Sequence, residues 1–201
     1  MKIAIESVVG AGKTTLAKFL SEKINIKLYE ELLSVDTNVL LEKFYKDQTR
    51  WSFPLQVHFL NERFRMIKEI NSIGSGILDR SIYGDNIFAQ LLNEGGHMTD
   101  EEYRTYYTLL DNMLEHVNPP DLMVYLKCKT ETAVDRINRR NRGESHVSLS
   151  YWEGLNNKYN QWYSEYDASE KMCIEVDGFN VFDVNQRENV LNQIIEKLKK
   201  E

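Results

Sequence analysis

Residues 2–23 read KIAIESVVGAGKTTLAKFLSEK, and this stretch decides the fold. Residues 3–5 are β-branched or small, as a buried strand requires, and residues 14–23 place Leu16, Phe19 and Leu20 on one helical face. Between them, Ser7-Val-Val-Gly10-Ala-Gly12-Lys13-Thr14 has the spacing of a P-loop. In such a loop, backbone N–H groups at the helix start wrap nucleotide phosphates, which assigns Val9, Gly10, Ala11, Gly12, Lys13, Thr14 and Thr15 to the phosphate cradle. Lys13 would reach the terminal phosphates, and the Thr14 hydroxyl would ligate Mg²⁺. The pattern departs at its first position, where Ser7 stands in place of glycine. A left-handed backbone there would cost about 1–2 kcal/mol.

Working outward, further short strands are expected at 26–29, 77–78, 122–126 and 172–176. Helical patterns at 39–45, 51–71, 82–92, 100–117, 130–139, 149–166 and 185–200 separate most of them. Strands alternating with longer helices imply an α/β protein with a mostly parallel sheet of about five strands, because parallel strands need crossover connections. Punctuation at 72–76, 95–96, 119–120 and 177–178 is short, and neither an internal repeat nor a linker is visible. One domain spanning 1–201 is expected.

Composition narrows the partners. The chain has 201 residues, a formal charge of −6 and 42% hydrophobic residues. That balance argues against broad electrostatic binding to nucleic acid or anionic lipid, and against disorder. Cys128 and Cys173 stand far apart without a CxxC, so reduced thiols are expected, not a zinc site or a disulfide framework. The four histidines are scattered, and no transition metal is indicated. With neither a signal h-region nor eighteen consecutive apolar residues, a cytoplasmic protein with no membrane partner is expected.

Several other residues carry chemistry. Gly76-Ile-Leu-Asp79-Arg80-Ser81 puts an acid and a base at the end of the third strand, where open α/β sheets meet their ligands. Asp79 could hold the metal's water shell and Arg80 a phosphoryl or ribose oxygen; the alternative is an Asp–Arg pair capping the next helix. Gln56, Leu60 and Arg63 share one helical face, and the Gln56 amide can donate to and accept from a base edge. Glu30 and Glu31 follow the second strand and face opposite ways on an extended chain. Arg136, Arg139, Arg140 and Arg142 form a basic cluster, suited either to a lid over phosphates at about 136–148 or to a solvated helix end. Trp152, Tyr159, Trp162, Tyr163 and Tyr166 have helical spacing and suit packing or a subunit contact better than base stacking.

Taken together, these residues resemble the P-loop deoxyribonucleoside kinases, especially bacterial members acting on deoxyadenosine and deoxycytidine. The likeness covers nearly the whole chain: the P-loop, Tyr45-Lys46-Asp47, Trp51-Ser52-Phe53, Gln56, Arg63, Asp79 to Asp85, Pro120-Asp121-Leu122, Arg136 to Arg142 and Tyr151-Trp152. The resemblance implies transfer of the γ-phosphoryl of ATP, with Mg²⁺ held by Thr14 and Asp79, to a deoxynucleoside 5′-hydroxyl. It implies that Gln56 and Asp85 read the base, Arg63 supports them, Tyr45 contacts the sugar, and Phe53 and Phe88 wall the base. Glu31, by its register to Tyr45, is the implied proton acceptor, with Arg80 and Lys13 assisting. Arg136, Arg140 and Arg142 would clamp the donor phosphates, and Glu144 would stand where the family offers a lid acid to the sugar 3′-hydroxyl. The family pattern has two acids there; this chain has Glu144 then Ser145. A homodimer is implied. Two rival readings are a nucleoside monophosphate kinase, which needs basic residues around the acceptor, and a nucleotide-binding regulator without turnover.

Overall fold

A computed structural model describes residues 1–31, 34–140, 147–180 and 182–199. These residues form two compact units, one of 1–29, 74–80 and 119–201, the other of 30–73 and 81–118.

The first unit holds a five-stranded parallel sheet in the order β2-β3-β1-β4-β5. Its strands are β1 (Lys2–Ser7), β2 (Leu28–Tyr29), β3 (Gly76–Asp79), β4 (Leu122–Lys127) and β5 (Lys171–Glu175). From Ile3 onward β1 is buried without alternation, as befits a central strand covered on both faces. The chain leaves β1 towards β2 and β3 on one flank and later adds β4 and β5 on the other. The order therefore reverses at β1, and the strand ends there form the crevice in which α/β sheets bind ligands.

Helix α1 (Lys13–Ile24) packs Leu16, Ala17, Phe19 and Leu20 into the core and ends on left-handed Asn25. The expected strand at 26–29 shortens to Leu28–Tyr29 for a local reason. The Ile26 N–H turns back to the Ser21 carbonyl at 3.2 Å, closing the helix instead of joining the ladder. Helices α6 (Thr130–Arg140), α7 (Leu149–Glu165) and α8 (Val184–Leu198) complete this unit. The aromatic run of α7 is packing here: Tyr125 of β4 stacks on Tyr159 and Tyr163 and meets Trp162 edge-on.

The second unit is helical, with α2 (Val35–Lys46), α3 (Gln48–Ile73), α4 (Asn86–Glu94) and α5 (Asp100–Leu114). Ser34 caps α2, and Thr99 with Glu102 forms a reciprocal capping box on α5. The pattern at 82–92, expected as one helix, divides at Gly84. A 3₁₀ turn at Ile82–Gly84 closes with the Asp85 N–H on the Ile82 carbonyl at 3.3 Å, and α4 begins one residue later. That break places Asp85 at a helix start, where the macrodipole favours its carboxylate.

The chain passes between units at 29/30, 73/74, 80/81 and 118/119, the first three at or within two residues of a regular element and the last in the connection between α5 and β4. No linker composition marks these passages, which is why the sequence shows none. Among the described residues, no helix is long and apolar enough to cross a membrane.

Candidate active site

In the first unit the loop between β1 and α1 is built by two left-handed glycines, Gly10 at φ 89° and Gly12 at φ 98°. Ser7 is the last residue of β1 and takes none of that burden: it is fully buried, extended, and its Oγ donates to the Val8 carbonyl. The cost expected for a left-handed Ser7 does not arise. Gly10, by contrast, cannot gain a side chain, because a Cβ would sit 2.5 Å from the Ala133 carbonyl oxygen of α6.

Lys13 opens α1 and forms a buried ion pair with Asp79 at the end of β3. Thr14 Oγ1 donates to the other Asp79 oxygen at 2.6 Å. One carboxylate thus gathers both P-loop side chains assigned from the sequence to phosphate and metal.

Arg80, the next residue, sits at φ 79°, a left-handed conformation that costs a non-glycine residue about 1–3 kcal/mol. Its N–H bonds the Ile5 carbonyl at 3.1 Å, anchoring the strained backbone to β1. Its Nη1 donates to the Ser7 carbonyl at 3.1 Å and to the Tyr159 hydroxyl, and lies 3.7 Å from Glu6 Oε2. The alternative of an Asp79–Arg80 pair capping the next helix is not what these contacts describe: Asp79 holds the P-loop, and Arg80 reaches Ser7, Tyr159 and Glu6.

Arg136 donates to the Ala11, Val176 and Phe179 carbonyls at 3.0–3.2 Å, with its own Nη1 on Ala11. It therefore ties the P-loop to the turn after β5. Asp177 in that turn accepts from the Lys129 N–H at 3.1 Å and from Thr132 Oγ1 at 2.6 Å, fastening the start of α6. Arg139 pairs with Asp135 on the exposed face of α6, whose last residue is Arg140. Arg142 and Glu144 lie outside the described residues.

In the second unit Gln56, Leu60 and Arg63 are buried on one face of α3, as their spacing predicts. Arg63 is held at both terminal nitrogens, Nη1 by Asp85 Oδ1 and Nη2 by Glu31 Oε1. The ring of Phe59 lies 5.4 Å below its guanidinium carbon. Of the two consecutive glutamates, the Arg63 contact belongs to Glu31. Phe53 and Phe88 are half-buried on α3 and α4, while Tyr45 is exposed near the end of α2 and meets Phe44 edge-on. His58 Nε2 lies 2.8 Å from Thr37 Oγ1, itself 2.6 Å from Ser34 Oγ, so the α2 cap is tied to α3.

Four residues of these clusters are absent from the expected set. Glu6 had a legible signal, the lone carboxylate of the central strand, directly after the apolar Ile3-Ala4-Ile5. Tyr159 and Asp177 had none, since their partners are distant in sequence. Tyr106 of α5 is fully buried, its hydroxyl has no hydrogen-bond partner in the described residues, and burial with the nearby Asp85 charge pushes its ionisation well upward.

The reversed parallel sheet, the glycine loop and the Lys13–Thr14 helix start define a P-loop nucleotide-binding protein. A family model described as deoxynucleoside kinase matches residues 3–199. The chain belongs to that family. It is 38% identical to a deoxyguanosine kinase of Lactobacillus acidophilus, covering 98% of this chain and 90% of that one. It is also 38% identical to a deoxyadenosine/deoxycytidine kinase of Bacillus subtilis, covering 96% and 90%. A solved structure of deoxyadenosine kinase from M. mycoides, with the products dCMP and a flexible dCDP bound, matches with a TM-score of 0.85 and 30% identity over 98% of this chain and 100% of that one. Another of the same enzyme, with bound dATP, matches with a TM-score of 0.82.

Proposed function

We propose that the chain transfers the γ-phosphoryl of ATP to the 5′-hydroxyl of a deoxynucleoside, favouring deoxyadenosine and deoxycytidine, with deoxyguanosine within reach, in nucleotide salvage. The observation that carries this reading concerns charge. Among the described residues, Arg63 is the one buried cation of the second unit, and two acids already hold it. A nucleoside monophosphate kinase needs cationic groups for the acceptor's own phosphate, and this cluster offers none to spare. A neutral nucleoside suits it.

The roles follow from the chemistry of each group. Residues Val9 to Thr15 present N–H groups to the donor phosphates, and Lys13 exchanges Asp79 for the terminal phosphates. Thr14 and Asp79 fit Mg²⁺: both are hard oxygen donors, already 2.6 Å apart, and this ion commonly takes few protein ligands beside phosphate and water. When bound, it neutralises charge on the transferring group. Glu31 orients the 5′-hydroxyl and accepts its proton late, since the transfer is largely dissociative. Gln56 and Asp85 read the base edge, Phe53 and Phe88 flank it, and Tyr45 with Glu144 engages the sugar. Arg80, Arg140 and Arg142 stabilise the phosphoryl charge. The remaining features carry over from the family resemblance: a single kinase domain with its lid at about 136–148, working as a cytoplasmic homodimer.

An ATP-consumption assay tests this reading with deoxyadenosine, deoxycytidine, deoxyguanosine, thymidine, their 5′-monophosphates and no acceptor. Turnover is expected with the first three and weak with thymidine, whose carbonyl faces the Asp85 carboxylate. Faster turnover with monophosphates overturns the reading, and consumption indifferent to acceptor points to a regulator.

A further inference from the structure

We propose that Tyr159 is a positioning residue for Arg80: its hydroxyl, seated between the Arg80 guanidinium and the Glu6 carboxylate, fixes how Arg80 presents its charge to the transferring phosphoryl group. This rests on the role of Arg80 given above.

All three side chains are buried, Glu6 and Tyr159 at 1% exposure and Arg80 at 5%. The Tyr159 hydroxyl accepts from Arg80 Nη1 and donates to Glu6 Oε2 at 3.5 Å. Here Nη1 stays 3.7 Å from Glu6, and the hydroxyl, acceptor towards the cation and donor towards the anion, stands beside both. Holding Nη1 at Tyr159 and the Ser7 carbonyl fixes the plane of the guanidinium, and with it the direction of its other edge.

Tyr159 suits this task because its ring cannot wander. Its ring is stacked on that of Tyr125, 6.3 Å away with 9° between the planes, and Trp162 stands edge-on at 6.2 Å. The aromatic cluster on α7 thereby sets the placement of a charge. That charge needs external support, for the Arg80 backbone is left-handed and its side chain is long and flexible.

The test is Tyr159→Phe, which removes the hydroxyl and keeps the ring. We expect kcat to fall about tenfold or more, in keeping with misplacement of a catalytic group, with KM for ATP and nucleoside within about threefold and a cooperative melt retained. A double-mutant cycle with Arg80→Lys separates positioning from general damage: Tyr159→Phe is expected to cost little further kcat in the Arg80→Lys background. If Tyr159→Phe does not fold, Glu6→Gln enters the same cycle with the same expectation. A kcat within twofold of the parent, or an equal loss in both backgrounds, overturns the proposal while leaving Arg80 its role. Near-normal kcat in Arg80→Lys and Arg80→Ala alike removes the role of Arg80 and the proposal with it.

Discussion

Ser7 and Gly10 stand in one loop and obey opposite rules. Ser7 is extended, so Ser7→Gly should leave nucleotide binding unchanged and cost at most about 1 kcal/mol of strand stability. Gly10→Ala combines a left-handed φ with a clash against the Ala133 carbonyl, which belongs to rigid helix backbone. A loss of at least about 2 kcal/mol is expected, together with weakened ATP binding, read by denaturant unfolding and by calorimetry. Arg63 makes a second residue-scale case. Arg63→Met leaves Asp85 and Glu31 without a buried cation between them, and about 3–5 kcal/mol should be lost. Adding Asp85→Asn should return part of it in urea titrations. The sequence displayed the glycines, Lys13 and the Gln56–Arg63 face because each is a local pattern. It could not display the Arg80–Tyr159 contact, which joins residues 79 positions apart.

At the scale of elements, the alternation of strands and helices was legible because buried parallel strands and amphipathic helices have different periods. Ends were less so. They were decided by single hydrogen bonds, such as Ile26 turning back to Ser21 and Asp85 closing a tight turn at Gly84, which no periodicity encodes. Arg136 shows the same limit. The resemblance implies a phosphate clamp at this arginine, and no spacing discloses that its guanidinium also ties α6 to the P-loop and to the turn after β5. Arg136→Ala should therefore speed amide hydrogen exchange at residues 176–179 and in the P-loop, with β1 and β4 unaffected. A uniform change across the sheet would contradict that local role.

Over the whole molecule, the buried acids set an alkaline limit. Burial, helped by the Asp177 charge, pushes the Cys128 thiol up from 9.0 to about 11. Burial likewise raises Tyr106 and Tyr125. The unfolded chain gives up these protons first, so it gains relative to the folded chain as pH rises. Stability from Cys128 is thus fully present below about pH 9 and is lost as pH rises towards 11. Urea midpoints should decline through that window, and Cys128→Ala should flatten part of the decline.

The helical unit, finally, is two separate inserts in the order of the chain, 30–73 and 81–118. Breeding this kinase with a relative thus calls for four crossover points. The buried trio is divided between the inserts, Glu31 and Arg63 on the first and Asp85 on the second. A hybrid that takes one insert from each parent mates a guanidinium with a carboxylate it did not evolve beside; taking both inserts together keeps the trio whole and, on the roles proposed for Gln56 and Asp85, is expected to carry acceptor preference as a single heritable cassette.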